Sequence, residues 1–334
     1  MPSARTRRLA GALAVAFGLA PIRVALANDE AAPAPTEAQV TERTDALLSL
    51  WDSLRRDAAG LRLGFDEELV SAGKLGGART WWLRTGLSAA GGIALGHGIN
   101  VGISPGFAWE RLVIDGPDTF NLSRTGRRSD FTDFYESSLR LGADYEFDET
   151  WGAEILTGFS ARHEQSADYG EALQWGGSVA LTYRRGRFVT ARLGLGLGAD
   201  LSDRKLRLSP VYRIRLRPTP RLTLETSGLT GGVQWQATRE ATLGLAGGVD
   251  NTQYKLDRRP PPPQGPGDGT LQRRQARIDA EVVYRLGHGL RLRGRVGTVL
   301  DQELSIRDED GFEVDRRRDR DPSLVLSFGV ELRL

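Results

Sequence analysis

The last eleven residues of the chain alternate between apolar side chains and mostly small or polar ones. The apolar positions are Leu324, Leu326, Phe328, Val330, Leu332 and Leu334, and the intervening ones are Val325, Ser327, Gly329, Glu331 and Arg333. Successive side chains of a strand point to opposite faces, so the segment predicts a strand with one apolar face. The pattern reaches the terminal carboxylate, which is typical of a strand that closes a transmembrane barrel. The alternative is an edge strand of a soluble β-sandwich.

Residues 1–27 have the parts of a secretory signal. A basic start is followed by Leu9–Ala20, an apolar stretch of about a dozen residues, and an A-x-A cleavage motif ends at Ala27. The apolar stretch is too short to cross a bilayer as a helix. We therefore expect a chain that is exported, cleaved after Ala27 and delivered to the outer membrane of a Gram-negative cell. The alternative is an uncleaved N-terminal anchor helix.

The charge balance and the composition exclude several classes of protein. The full chain has 45 basic and 43 acidic residues, but four arginines leave with the signal, and the remaining net charge of −2 gives no reason to expect nucleic acid binding. The absence of cysteine excludes disulfides and thiolate metal sites. No later apolar run reaches about 18 residues, which excludes a bundle of transmembrane helices. A transmembrane barrel passes that test because only alternate residues face lipid.

Two regions follow the signal. In residues 28–59, the apolar side chains of residues 36–58 approximate a helical stripe. We interpret this region as a short periplasmic helix, either packed on a barrel rim or acting as a plug or gate. Residues 60–334 repeat period-two segments and predict an all-β, antiparallel, up-and-down transmembrane barrel.

A single sheet with one wet face would show the same alternation, but two features favour a barrel in lipid. Charged residues continue along one face of many predicted strands, as in Leu206–Leu216 and Ile278–Leu286. Aromatic residues lie near predicted strand ends, as in the interfacial girdles of outer-membrane barrels. These residues are Trp81, Trp109, Trp151, Tyr183 and Tyr212.

The connections between the predicted strands differ in length. The short ones lie at residues 95–98, 148–150, 185–186, 218–220, 238–240 and 286–289, and the long ones at 116–130, 162–171, 257–270 and 308–321. Bacterial barrels have short periplasmic turns and longer outer loops. Counting back from the C-terminal strand places every short connection at one end and requires a strand at Leu61–Leu69 beside it. The barrel then has about fourteen strands if residues 228–232 form a turn, and twelve or thirteen otherwise.

Hairpins built as a strand, a polar turn and an aromatic restart recur along the chain. The segments that carry a likeness are Ser104–Phe107, Tyr135–Trp151 and Leu206–Leu224. They resemble uncharacterised Gram-negative outer-membrane β-barrel proteins, of the kind classed as a domain of unknown function. The resemblance covers about residues 60–334; it implies the barrel fold and offers no catalytic residues.

The histidines offer little chemistry. His97 and His288 lie in matching Leu-Gly-His-Gly turns, and we assign them a conformational role because glycine and histidine tolerate positive φ. His163 lies near Ser160, Glu164 and Ser166, which leaves a lipid-modifying enzyme of the outer leaflet as one hypothesis. No nucleophile motif supports it, and chance proximity is the competing interpretation. We therefore predict a non-enzyme with no catalytic residue, metal site or cofactor.

Two outer segments are candidates for binding. Asp308–Gly311 resembles part of a calcium loop but lacks its D-x-D-x-D-G spacing, so a solvated, ion-paired loop competes with contact to divalent ions or lipopolysaccharide phosphates. Pro260–Pro263 is a stiff, exposed loop tip of polyproline character. The expected partners are outer-membrane lipid, lipopolysaccharide and the barrel-assembly machinery that recognises the C-terminal strand.

Charged residues at alternate positions of three predicted strands are the candidates for the lumen lining. They are Arg207, Arg213, Arg215, Arg217, Asp279, Glu281, Arg291, Arg293 and Arg295. If their apolar neighbours face lipid, these side chains face inward, because a basic residue on the lipid face at the midplane costs about 2–4 kcal/mol. Two interpretations stay open: an ion-paired lumen that fills and supports the barrel, and a pore whose local excess of arginine favours anions.

The sequence thus leads to three hypotheses of function. The first is passive passage or binding of a small polar or amphipathic solute through a charged, arginine-rich lumen. The second is a structural or surface-interaction barrel with a plugged lumen. The third is the lipid-modifying enzyme of the outer leaflet.

Overall fold

The computed structural model describes ten segments of the chain: residues 59–75, 78–115, 133–165, 167–199, 201, 205–256, 269–287, 289–307, 313–319 and 321–334. Several predicted features lie outside these segments. They are the signal at residues 1–27, the helical segment up to residue 58, Ser166, Pro260–Pro263, His288 and Asp308–Gly311.

The described segments contain fifteen β-strands and one helical turn. The strands are β1 (Ala59–Leu75), β2 (Ala78–Gly96), β3 (Ile99–Asp115), β4 (Asp133–Glu146), β5 (Trp151–Glu164), β6 (Leu173–Arg185), β7 (Val189–Ala199), β8 (Leu206–Thr219), β9 (Leu222–Ser227), β10 (Thr230–Gln236), β11 (Ala241–Lys255), β12 (Thr270–Leu286), β13 (Leu290–Arg307), β14 (Glu313–Asp319) and β15 (Ser323–Arg333). The helical turn is α1 (Tyr169–Ala172). No helix in the described segments is long and apolar enough to cross a membrane.

The strands close into one antiparallel barrel. From β1 to β14 each strand pairs with the next one in the chain, and β15 pairs with β13 and with β1 to complete the ring. β14 and β15 follow one another along β13, where β14 pairs with residues 302–307 and β15 with residues 290–299. They occupy one position in the wall, so the barrel has fourteen strands. This confirms the higher predicted number, because residues 228–229 form the turn between β9 and β10.

The register of β15 against β1 confirms the predicted partner of the C-terminal strand. Leu332 lies opposite Leu63, and Leu326 lies opposite Leu69. All four side chains are exposed on the outer surface, where they join a belt of exposed Leu, Ile, Val and aromatic residues that surrounds the barrel. An apolar surface of this extent is typical of contact with lipid and is unusual for a soluble monomer.

The two ends of the barrel differ as predicted. All six predicted short connections lie at one end, together with the C-terminus, and we call this the short-turn end. The opposite, long-loop end contains more structure than expected. Residues 162–171 include the end of β5 and most of α1, and residues 308–321 include β14. The sequence did not reveal β14 because its arginine run lacks an apolar face.

The barrel wall is low at β9 and β10, which contain only 6 and 7 residues. β11 pairs with β10 no further than Gly248, and its last residue, Lys255, then pairs in parallel with His163 of β5. A Cβ atom at Gly248 would lie 2.6 Å from Cγ2 of Thr230, so the close approach at this departure point requires glycine. The long-loop half of the β11–β12 hairpin therefore crosses above β6–β10 and narrows the barrel.

A hydrophobic core fills the narrowed part of the barrel. Its members are Val70, Trp82, Leu112, Phe134, Tyr254, Leu256, Leu271, Val299, Leu304, Ile306 and Val325, and none of them comes from β6–β10. A bulge leaves Leu300 without a partner on β12, which changes the face of β13 that points inward. Below the bulge Arg293 and Arg295 point inward, and above it Leu304 and Ile306 do. The narrowed part is therefore comparable to a barrel of about eight strands, whose interior side chains can fill.

Candidate functional site

A cavity of about 740 Å³ lies inside the barrel, between the hydrophobic core and the short-turn end. Its wall comes from β1–β5, β11–β13 and β15. Small residues of β1, β2 and β15 leave the space: Gly64 lies opposite Ser88, and Ser327 and Gly329 lie opposite Glu68 and Asp66. The hairpin residues Tyr254 and Arg273 cover the cavity toward the long-loop end.

Charged side chains dominate the cavity lining. The arginines are Arg62, Arg84, Arg140, Arg162, Arg273, Arg277, Arg291, Arg293 and Arg295, and the carboxylates are Asp66, Glu68, Glu136, Asp250 and Glu331. Nine positive charges thus face five negative ones. The lining also includes apolar residues, among them Ala89, Ala90, Val283 and Val330.

Three of the predicted lumen residues lie together on this lining, and we call Arg291, Arg293 and Arg295 the arginine face. They occupy alternate positions of β13 below the bulge, so the pleat points all three into the cavity. Their partners on the neighbouring strand β15 are Glu331, Gly329 and Ser327, in that order.

The carboxylates around the arginine face are shared. Glu331 lies 3.3 Å from Nη1 of Arg291 and 3.1 Å from Nε of Arg333. Glu281 lies 3.3 Å from Nε of Arg293 and 4.0 Å from Nε of Arg295. Because several guanidinium groups use each of these carboxylates, pairing does not neutralise the arginine face.

A second ion-paired group lies across the cavity. Glu136 on β4 contacts Nη2 of Arg162 at 3.0 Å and Nη2 of Arg84 at 3.5 Å, and Arg84 also contacts Asp66 at 2.9 Å. The sequence analysis did not predict that Glu136 pairs with Arg84 and Arg162. Glu136 and Arg162 are direct partners across the β4–β5 hairpin, whereas Arg84 and Glu136 lie on strands separated by β3 and meet because the wall curves around the cavity.

A buried cluster holds the β11–β12 hairpin against the opposite wall. Arg273 on β12 forms an ion pair with Glu110 on β3, and its Nη2 lies 3.3 Å from Oε2 of Glu110. The Tyr254 hydroxyl donates a 2.7 Å hydrogen bond to Oε2 of the same carboxylate. The Arg273 guanidinium lies 4.3 Å from the ring centre of Trp82, within the range of a cation–π contact. We call Trp82, Glu110, Tyr254 and Arg273 the latch.

The other predicted lumen residues lie outside the cavity lining. Arg207, Arg213, Arg215 and Arg217 alternate on β8 with exposed apolar residues such as Leu208. Nε of Arg213 and Nε of Arg215 contact Glu225 of β9 at 2.8 Å and 2.6 Å. Asp279 and Glu281 are not among the lining residues but form ion pairs with Arg277 and Arg293, which are.

His163 lies among aromatic rings at the long-loop end. Its Nδ1 is 2.8 Å from the carbonyl oxygen of Glu164, and its ring lies 6.0 Å from Tyr135 and 5.7 Å from Tyr169. The contacts of His163 are thus a tilted ring, an edge-on ring and a backbone carbonyl. In the described segments, no group of three or more His, Asp or Glu side chains could hold a metal ion.

Comparisons with known proteins add only a likeness of fold. No family model matches the chain, and no curated protein matches it. A crystal structure of an outer membrane channel from Pseudomonas putida F1 covers 91% of this chain and 100% of its own, at 10% identity and a TM-score of 0.44. The P. putida toluene transporter TodX covers 87% and 93%, at 12% identity and a TM-score of 0.40. The translocator domain of the Neisseria meningitidis autotransporter NalP covers 89% and 96%, at 11% identity and a TM-score of 0.38.

The architecture rests on the chain's own geometry. Fourteen paired positions close without a free edge, and a belt of apolar side chains surrounds the ring. Closed barrels are the only β-structures that satisfy all backbone hydrogen bonds in lipid. By this geometry the chain is a β-barrel of the outer-membrane type.

Proposed function

We propose that the protein is a passive channel of the bacterial outer membrane for small polar or amphipathic solutes. The observation that carries the proposal is the charged cavity of about 740 Å³ inside a closed barrel. A barrel with a structural role alone has no need of such a space, because apolar or ion-paired side chains could fill it. The short-turn end would face the periplasm and the long-loop end the exterior.

The predicted signal and the outer surface of the barrel support this location. The sequence begins with the features of a cleaved signal, and the apolar belt demands lipid around the barrel. Charges within the barrel avoid the cost of about 2–4 kcal/mol that a basic residue meets on the lipid face at the midplane.

A plugged barrel is the second candidate, and the hydrophobic core favours it. Leu112, Leu271 and Leu304 have no exposed surface and lie in the narrowed ring, so side chains fill this part of the barrel. Under the channel proposal, the β11–β12 hairpin must move before a solute can pass. Under the second candidate it stays in place.

Single-channel recording in a planar lipid bilayer tests both candidates. We expect the purified protein to show discrete conductance steps, with reversal potentials in a salt gradient that indicate preference for anions. A matched variant replaces residues 251–275 with a short turn, and its steps should be larger and longer-lived. Steps only in that variant would establish the plugged barrel, and no steps in either folded protein would refute the channel.

A further inference from the structure

The spacing of the arginine face suits ligands with more than one acceptor group. Arg291, Arg293 and Arg295 alternate along β13, so neighbouring Cα atoms are roughly 7 Å apart, at about 3.3–3.4 Å per residue. Their side chains can therefore contact two acceptor groups of one small molecule. A planar guanidinium fork also matches the geometry of a carboxylate better than a lysine does.

The wall beside the arginine face is open. Arg293 of β13 lies opposite Gly329 of β15, and Gly329 in turn lies opposite Asp66 of β1. Arg295 faces Ser327 in the same way. No large side chain lies between the arginine face and the cavity on this side, and 52% of the Arg293 side chain is exposed. A ligand in the cavity can reach these guanidinium groups.

The local charge favours an anion. Four arginines around this wall, Arg277, Arg291, Arg293 and Arg295, contact Glu68, Asp279, Glu281 or Glu331. Of those carboxylates only Glu68 and Glu331 belong to the cavity lining, whereas all four arginines do. Arg293 contacts Glu281 through Nε, which leaves the end of its fork for a ligand.

We infer that the arginine face is a binding subsite for small organic anions that carry carboxylates, and that this class includes the channel's solute. Arg293 binds one carboxylate of the ligand. Arg291 or Arg295, on either side of Arg293, binds the second carboxylate. Only the identification of these anions as the channel's solute rests on the proposed function. The subsite itself exists whether or not the barrel conducts.

Calorimetric titration of the detergent-solubilised full chain tests the subsite. The probes are succinate and its neutral analogue succinamide, at equal ionic strength. We expect succinate to bind with a Kd in the millimolar range or tighter, and succinamide to show no heat of binding. Arg293→Gln should weaken succinate binding about tenfold, and replacing all three arginines of the face by Gln should abolish it.

Two further variants separate site geometry from net charge. Arg293→Lys keeps the charge but loses the fork, so we expect affinity between that of the wild type and Arg293→Gln. Arg187→Gln removes one charge on a short turn, where the guanidinium lies over Phe188, and should leave succinate binding unchanged. A heat-modifiable gel shift verifies that each variant is folded.

The outcomes distinguish the subsite from the channel. Equal binding of succinate and succinamide, or equal loss in Arg187→Gln and Arg293→Gln, would overturn the subsite. Succinate binding without conductance would keep the subsite and overturn the channel. Conductance without succinate binding would keep the channel and overturn the subsite.

Discussion

At the scale of single residues, backbone conformation explains one histidine. His97 has φ +52° between Gly96 at +85° and Gly98 at +78°, in the turn from β2 to β3. It is the only non-glycine residue with positive φ in the described segments. The conformational role predicted for His97 is thus confirmed, and the same turn motif at His288 lies outside the described residues.

His97→Val should therefore destabilise the barrel. A β-branched residue in the left-handed region costs about 1–2 kcal/mol, whereas Asn tolerates it. The measurement is the urea midpoint of unfolding in lipid vesicles, and His97→Asn is the control. Equal midpoints for the Val and Asn variants would contradict the assigned role.

The latch is the other feature that single residues decide. Glu110 and Arg273 have side chains only 4% and 9% exposed, so each depends on the other to offset its burial. Sequence reasoning did not find this pair, because β3 and β12 are far apart in the chain. Only the inward path of the hairpin brings Arg273 to Glu110.

Removing one partner of the latch should cost more than removing both. We expect Glu110→Ala to lower the free energy of unfolding by about 3–5 kcal/mol, because it leaves a buried guanidinium without its carboxylate. The double variant Glu110→Ala/Arg273→Ala should lose less than the sum of the single losses. Urea unfolding, followed by tryptophan fluorescence, measures the wild type, the two single variants and the double variant. Additive losses of free energy would contradict a coupled latch.

At the scale of elements, the β11–β12 hairpin departs from the expected wall. The residues from Asp250 to Lys255 are polar on nearly every position, so neither face of this stretch suits lipid. All residues from Asn251 to Leu256 are buried, which shows that protein covers both faces. The loss of apolar alternation is the signal that could have indicated an inward hairpin.

A disulfide tests whether the hairpin moves. The chain has no cysteine, so Lys255→Cys/His163→Cys introduces a single pair at the bridge between β11 and β5. We expect oxidation to suppress conductance and a reducing agent to restore it, because the cross-link holds the hairpin in the barrel. The control pair Leu63→Cys/Leu332→Cys lies on the β1–β15 seam and should conduct in both states. Conductance insensitive to oxidation in the first pair would show that the hairpin is not a gate.

The regular strands were predictable for a physical reason. In β8 and β15 one face meets lipid and the other does not, so the requirement of each face appears directly in the residue order. β14 and residues 251–256 lack the alternation from which the other strands were predicted, because protein or solvent rather than lipid surrounds them. The same contrast applies to the site: the arginine face alternates along β13, whereas Arg84 of β2 meets Glu136 of β4 across β3, which alternation along one strand does not reveal.

At the scale of the whole molecule, the free-energy cost of a charge on the outer surface should depend on its depth in the membrane. Leu326 lies on the outer face of β15, well inside the strand, and Leu334 lies at its end, 69% exposed. We expect Leu326→Arg to cost about 2–4 kcal/mol in lipid vesicles and Leu334→Arg about 0–1 kcal/mol. Urea unfolding in vesicles measures both. Equal costs would contradict a membrane midplane near Leu326.

The sequence by itself determined a barrel with one lipid face, the end at which its short turns lie, the strand that closes it and the arginine face of β13. These properties follow from local alternation, because the two faces of a strand meet different surroundings. Tertiary structure alone decided the inward hairpin, the hydrophobic core at the long-loop end, the latch and the cavity. Each of these depends on residues far apart in the chain, which lie together because β15 pairs with β1 and β11 pairs with β5.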